Sequence, residues 1–275
     1  MTINYNNNLL STGKPLIMGI LNATPDSFYI ESRIVDADSM LLRIEQMIEQ
    51  GMDILDIGAY SSRPSAEHIS EGEELNRLSV VLEPIVAKFP HLALSVDTFR
   101  ASVAKHVVTN FGVGMINDIG GGDLDIKMFG AIAQLGVAYV LMHMRGNPQT
   151  MQRNCKYDNI VVDVMGELQR KVQILRLLGV KDVVIDPGFG FAKSLEQNYT
   201  LLKNLSLFQQ IDAPLLVGVS RKSMIYKLLK TDAENSLNGT TAIHMAALQQ
   251  GASILRVHDV KEAREVITIY EQLRK

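Results

Sequence analysis

Polar and charged residues recur in this chain directly after short apolar runs, where a strand would end. In order they are Asn22, Asp56 with the Ser61-Ser62-Arg63 stretch, Asp97, Asn117 with Asp118, His143, Asp186, the Ser220-Arg221-Lys222 run, and Arg256 with His258. They divide into two chemical types. Arg63, Arg221, Lys222, Arg256 and His258 are cationic or protonatable. Arginine offers a planar fork matched to phosphate oxygens, and lysine a point charge. Any one of them alone is equally compatible with a solvated surface cation; as a group they suit an anion. Asp97, Asn117 and Asp186 are rich in acceptors, because ionised aspartate only accepts while asparagine does both. Gathered together, they suit a planar heterocycle with an N–H-rich edge. Aspartate is also a good helix N-cap. Asp118 is the stronger candidate for capping, and Asp56 for orienting its neighbours.

Bringing these groups together requires a repeated element. An amphipathic stretch ending at glycine, a continuous apolar run and a polar cluster recur at 51–58 (GMDILDIG), 112–120 (GVGMINDIG), 136–144 (GVAYVLMHM), 179–188 (GVKDVVIDPG) and 251–260 (GASILRVHDV). Glycine suits the left-handed residue that often closes a helix, and continuous apolar runs suit strands covered on both faces. Leu16–Leu21, Leu92–Val96 and Leu215–Val219 bring the strands to eight. Helices are predicted over 38–50, with Met40, Leu41, Ile44, Met47 and Ile48 on one face and Asp38 or Ser39 as N-cap, and over 160–178, with the stripe Ile160, Val161, Val164, Leu168, Val172 and Leu175. This alternation predicts an α/β fold, a single-domain (β/α)8 TIM barrel spanning 1–275, rather than an open doubly wound sheet. Residues 1–14 form an N-terminal extension before the first barrel strand. In such a barrel, chemistry belongs at the C-terminal strand ends, and phosphate often binds the loops after the last two strands. Those loops carry Lys222, Arg256 and His258.

Bulk properties narrow the partners. The formal net charge is −3 with no dense Lys/Arg stripe, so nucleic acid is not an expected partner. Cys155 is the only cysteine, which excludes an internal disulfide and suits a reducing, cytoplasmic setting. The N-terminus lacks a charged-then-apolar signal layout. No apolar run approaches the ~20 residues that cross a bilayer, so no membrane partner is expected. There is no HExxH, CxxC, GxGxxG or Walker loop, and Gly120-Gly121-Gly122 lacks the spacing of a dinucleotide loop. His68, His91, His106 and His244 have no convergent partners and read as structural or exposed.

The strings MGILNATPDSF (18–28), DILDIGAYSSRP (53–64), SVDTF (95–99), IND (116–118), LMHM (141–144), DPGFGF (186–191), SRKS (220–223) and RVHDV (256–260) follow one another in a set order. That ordered set resembles the dihydropteroate synthase family over about residues 15–265. The resemblance implies a transferase of folate biosynthesis, usually a homodimer and a sulfonamide target. Such an enzyme joins 6-hydroxymethyl-7,8-dihydropterin pyrophosphate to p-aminobenzoate with Mg2+, giving 7,8-dihydropteroate and pyrophosphate. By motif position it implies that Asp97, Asn117, Asp186 and Lys222 hold the pterin. Asn22, Arg63, Arg256 and His258 would hold the pyrophosphate, with Asn22 also on the metal. Ser62, Pro64, Phe191, Ser220 and Lys222 would surround p-aminobenzoate, and Asp97, Lys222 and Arg256 would be catalytic. Two loops depart from the family pattern. Tyr29-Ile30-Glu31-Ser32 stands where the family continues Ser-Asp-Gly-Gly, and Ala59-Tyr60-Ser61-Ser62 where it has Gly-Glu-Ser-Thr. Three rival readings share the barrel: a catalytically silent pterin binder, a methyltetrahydrofolate-dependent methyl transferase, and a phosphosugar enzyme.

Overall fold

The computed structural model describes residues 1–6, 8–23, 33–60 and 68–275, and only the backbone of 33–36 and 152. The chain opens with an antiparallel hairpin, β1 (Thr2–Tyr5) and β2 (Asn8–Ser11). Strands and helices then alternate: β3 (Leu16–Asn22), α1 (Arg33–Glu49), β4 (Ile54–Gly58), α2 (Glu71–Lys88), β5 (Ala93–Asp97), α3 (Ala101–Phe111), β6 (Met115–Asp118), α4 (Met128–Leu135), β7 (Ala138–Met142), α5 (Ile160–Leu177), β8 (Val183–Asp186), α6 (Leu195–Lys203) and β9 (Leu216–Val217). Two helices, α7 (Ser223–Leu229) and α8 (Leu237–Gln249), precede β10 (Ile254–Val257), and α9 (Val260–Leu273) ends the chain. The eight strands from β3 to β10 pair in parallel, in the order β8-β7-β6-β5-β4-β3-β10-β9. A parallel bridge between Ile185 and Leu215 closes the barrel, with the Ile185 N–H donating to Pro214 O at 2.9 Å. This is the predicted (β/α)8 barrel.

Side chains alternate across a strand, and here the alternation builds two cores. Ile17, Leu55, Val96, Ile116, Ile185 and Leu255 face outward and pack with Ile44, Leu82, Val107 and Leu168 from the helices. Each such fully buried side chain stabilises by roughly 1.5–3 kcal/mol. Met18, Ile54, Ala93, Met115, Val184, Leu216 and Ile254 point inward and form the barrel floor together with Ile3 and Tyr5 of the hairpin. The Tyr5 hydroxyl accepts the Leu94 N–H at 2.7 Å, so the N-terminal extension is a stopper on the floor.

The alternation also sets which residues face the mouth. Two positions past each floor residue the side chain points inward again, giving Asp56 on β4, Ser95 on β5, Asn117 on β6, Asp186 on β8 and Arg256 on β10. A second step reaches Asp97 and His258. Register adds the height: Asn22, Gly58, Asp97 and Asn117 are successive Cα partners and form one tier.

Element boundaries differ from the expectations in places. Helix α1 starts at Arg33, so Asp38 and Ser39 lie inside it and cap nothing. Met40, Ile44 and Met47 of its stripe are buried, whereas Ile48 is 37% exposed. Helix α5 carries its full predicted stripe, and Asn159 caps it by accepting from the Val161 and Val162 N–H groups. Strand β9 is only two residues long within the expected 215–219.

Candidate active site

The polar tier is organised around Asp56, which is fully buried. Its Oδ2 accepts from Asn117 Nδ2 at 3.0 Å and from Arg256 Nε at 2.7 Å. Arg256 Nη2 donates to Asp97 Oδ2 at 3.1 Å. Asp56, Asp97, Asn117 and Arg256 thus form one connected cluster contributed by four strands. The Asn117 amide is oriented by this bond: its nitrogen is turned to Asp56, which leaves its oxygen as the acceptor for a ligand. Burial raises the Asp97 carboxyl to about 7, with Asp56, Glu74 and Asp118 adding and Arg256 opposing. For Arg256 burial works downward, but Asp56 and Asp97 outweigh it and hold the guanidinium above its ordinary value.

A second group crosses from β8 to the β9–α7 loop. Asp186 Oδ1 accepts the Gly188 N–H at 2.7 Å, and its carboxyl is raised by burial against the pull of Lys222. Lys222 Nζ donates to Phe189 O at 2.6 Å and lies 4.5 Å from the centre of the Phe191 ring. Burial lowers its pKa to about 8, and Asp186 limits the fall. Ser220 is buried, and its Oγ accepts the His258 N–H at 3.2 Å and pairs with His258 Nδ1 at 3.0 Å. His258 is exposed at the rim. Desolvation by the walls and the cations Arg256, Arg221 and Lys222 lower its pKa, with Asp259 opposing. Asn22 ends β3 on the inward side, exposed.

Asp97, Asn117, Asp186, Lys222, Arg256, Ser220, Phe191, His258 and Asn22 therefore belong to one barrel mouth. Ser62, Arg63 and Pro64 lie outside the described residues. Other strand-end groups turn away. Arg221 has φ +54°, and its guanidinium is taken up by Asp259 at 2.8 Å and by the Ala233 and Glu234 carbonyls, so it leaves the cationic set. Asp118 faces outward and accepts from the Gly120 and Gly122 N–H groups and the Tyr139 hydroxyl. It caps the glycine turn and not α4, which begins at Met128. His143 also faces outward, paired with Glu167 and Lys193 at 3.0 Å each. Sequence reasoning missed Lys193, although it stands two residues after the DPGFGF string.

Three carboxyl groups, one oriented amide and two largely buried cations at one barrel mouth can hold a heterocycle rich in N–H donors and stabilise charge that develops beside it. The chain matches the pterin binding enzyme family over residues 18–258. It is 40% identical to the dihydropteroate synthase of Haemophilus influenzae over 273 residues, covering 98% of each chain. The chain belongs to the dihydropteroate synthase family. Among solved members of that family, the Yersinia pestis dihydropteroate synthase with a sulfonamide drug superposes with a TM-score of 0.91 at 38% identity, covering 100% of this chain and 99% of that one. The Thermus thermophilus dihydropteroate synthase in complex with 4-aminobenzoate gives a TM-score of 0.89 at 36% identity, covering 99% of this chain and 100% of that one.

Proposed function

We propose that this chain condenses 6-hydroxymethyl-7,8-dihydropterin pyrophosphate with p-aminobenzoate to give 7,8-dihydropteroate and pyrophosphate. The observation that carries the proposal is the gathering of Asp97, Asn117, Asp186, Lys222 and Arg256 on the inward side of one barrel mouth. The acceptors take the N–H edge of the pterin. Phe191, Ser220 and Lys222 surround the aniline ring, and motif position assigns Ser62 and Pro64 to the same pocket. Asn22, Arg256 and His258 face the pyrophosphate, and motif position assigns Arg63 to it as well.

The reaction is read as an SN1-like displacement at the carbon beside the pterin ring. The C–O bond breaks, its electron pair leaves with pyrophosphate, and the aniline nitrogen then attacks the cationic methylene and gives up one proton to solvent or the released pyrophosphate. Asp97 stabilises the cation electrostatically, and Arg256 stabilises the departing anion while Asp56 fixes its orientation. Preorganised charges of this kind are often the largest catalytic contribution. Asn22 presents one neutral side-chain oxygen at the rim, which fits a Mg2+ ion that keeps waters and takes phosphate oxygens plus few protein ligands. Such an ion would neutralise charge on the leaving group.

The reading extends to a homodimer in the cytoplasm. Exposed apolar residues on α7 and α9, Leu228, Leu229, Ile269 and Leu273, support the former. Among the described residues no helix is long and apolar enough to cross a membrane. The deciding experiment mixes both substrates with Mg2+ and assays dihydropteroate and pyrophosphate together. Equal release of the two is expected. Tight pterin pyrophosphate binding without product would select the silent binder, and corrinoid binding the methyl transferase.

A further inference from the structure

We infer that Lys193 is a positioning residue for the p-aminobenzoate pocket, acting through the 187–192 loop that carries Phe191. This rests on the assignment of Phe191 and Lys222 to that pocket.

The loop between β8 and α6 is a strap held from two sides. Positive φ values alternate along it, at Gly188 (+70°), Gly190 (+82°) and Ala192 (+50°). This succession turns the carbonyls to different sides. Phe189 O meets the Lys222 ammonium on the mouth side at 2.6 Å. Gly188 O and Phe191 O meet the Lys193 ammonium on the other side at 3.0 and 2.9 Å. Ala192 O accepts from the Tyr157 hydroxyl at 2.9 Å, and Asn198 Oδ1 accepts the Gly190 N–H at 2.7 Å.

Lys193 is 3% exposed and has no role in the reaction as written. Burying an ammonium is costly unless every proton finds an acceptor. Here all three do. Besides the two carbonyls, Nζ lies 3.0 Å from His143 Nδ1, with His143 O a weaker fourth contact at 3.4 Å. A donor at Nδ1 leaves the histidine proton on Nε2, where it is given to Glu167 Oε2 at 3.0 Å. Arg145 pairs with the same Glu167 and lies over the Tyr157 ring at 4.1 Å. The outer grip on the strap therefore runs from Arg145 through Glu167 and His143 to Lys193. A neutral amine has only two protons and would release one of the three acceptors, so the charged form is the one that fastens the loop.

The strap carries the Phe191 ring and the carbonyl that seats Lys222. Of the proposed pterin ligands, Asp97 and Asn117 stand on β5 and β6, whereas Asp186 accepts the strap's Gly188 N–H at 2.7 Å and Lys222 sits on its Phe189 carbonyl; Phe191, which moves with the strap, belongs to the aniline side alone. Loosening the outer grip should therefore disturb the aniline side of the site more than the pterin side. A shift of about 1 Å in a positioning group is enough to matter by one to two orders of magnitude.

The test is steady-state kinetics with each substrate varied in turn on Lys193→Met, Tyr157→Phe and Phe191→Ala, with circular dichroism for folding. Lys193→Met is expected to raise the KM for p-aminobenzoate by about tenfold and that for pterin pyrophosphate by less than about threefold. Tyr157→Phe, which removes one outer hydrogen bond, should give a smaller shift in the same direction. A folded Lys193→Met with unchanged p-aminobenzoate KM, or with both KM values raised alike, overturns the inference. If Lys193→Met does not fold, an unchanged p-aminobenzoate KM in Tyr157→Phe overturns it. If Phe191→Ala leaves that KM unchanged, the pocket assignment fails and takes the inference with it. If Phe191→Ala raises it and Lys193→Met does not, only the inference fails.

Discussion

Asp56 and Arg256 stand 200 positions apart in the sequence and meet inside the barrel, Arg256 Nε donating to Asp56 Oδ2 at 2.7 Å. The same oxygen holds Asn117, so one buried carboxylate fixes a proposed pyrophosphate ligand and a proposed pterin ligand together. Asp56→Asn keeps the shape and removes the charge. A charge-assisted hydrogen bond is worth about 1.5–3 kcal/mol. If that is expressed in the transition state, turnover falls by about tenfold to a few hundredfold, with the far-UV circular dichroism unchanged. Turnover within twofold of the wild type would sink this role for Asp56.

How much of this was legible beforehand follows from the geometry of a strand. Asp97, Asn117, Asp186 and Arg256 were readable because each ends an apolar run, and such runs point their last polar group at the barrel mouth. Their neighbours Asp118 and His143 were not separable from them, since a one-residue slip in strand register sends a side chain to the opposite face. Arg221 sits between two site residues but escapes the mouth through a positive φ that no pattern announces. The start of α1 was misplaced because Asp38 and Ser39 are good caps in isolation, yet the helix continues for five residues ahead of them. The Lys193 network was out of reach for a different reason. Glu167 on α5 and His143 after β7 converge only when the helix docks, and tertiary convergence leaves no local pattern.

Asp97 and Arg256 face each other at 3.1 Å, one to support the developing cation and the other the departing anion. Asp97→Asn and Arg256→Ala are each expected to lower turnover by at least about tenfold while the fold survives. The check is kcat for each variant beside its thermal unfolding curve. Near-normal turnover in both would refute the assignment.

Two glycines of the mouth should respond in opposite ways to alanine. A Cβ at Gly218 would lie 3.8 Å from Arg256 Cβ and 3.9 Å from Lys222 Nζ, which is ordinary contact. Gly218→Ala should fold normally but narrow the space between the two cations, raising the KM for pterin pyrophosphate. A Cβ at Gly188 would lie 2.0 Å from His143 O, on a residue whose φ is +70°. Gly188→Ala should be destabilised by more than the roughly 1–2 kcal/mol of the left-handed backbone alone. Thermal midpoints and KM values for the pair separate the two effects.

His244 is buried on α8, and neither ring nitrogen has a hydrogen-bond partner among the described residues. Burial lowers its pKa from 6.5 to about 4, with Asp259 opposing weakly. Between those values the unfolded chain holds a proton at this site that the folded chain refuses. Stability from this group is therefore complete above the unfolded value and is lost as pH falls toward 4, with a slope of at most about 1.4 kcal/mol per pH unit. Asp97 works the other way, because its raised carboxyl binds a proton more readily in the folded state. The difference between wild type and His244→Leu isolates the histidine. His244→Leu should be the more stable protein at pH 5, by a margin that shrinks toward pH 7. A constant difference in denaturant midpoints across pH 5–7 would show that His244 does not titrate as described.

The Lys222 ammonium over the Phe191 ring offers an aromatic face beside a positive charge. p-Aminobenzoate matches that surface with an aniline ring and a carboxylate. A sulfonamide offers the same aniline and an acidic nitrogen in place of the carboxylate. Both should therefore occupy one pocket, and a sulfonamide should raise the apparent KM for p-aminobenzoate while leaving kcat unchanged. Phe191→Ala removes the shared ring contact and should weaken both ligands in parallel, so the ratio of inhibition constant to KM stays within a few-fold of the wild type. Purely noncompetitive inhibition, or a variant that loses one ligand and keeps the other, would place the two molecules at different sites.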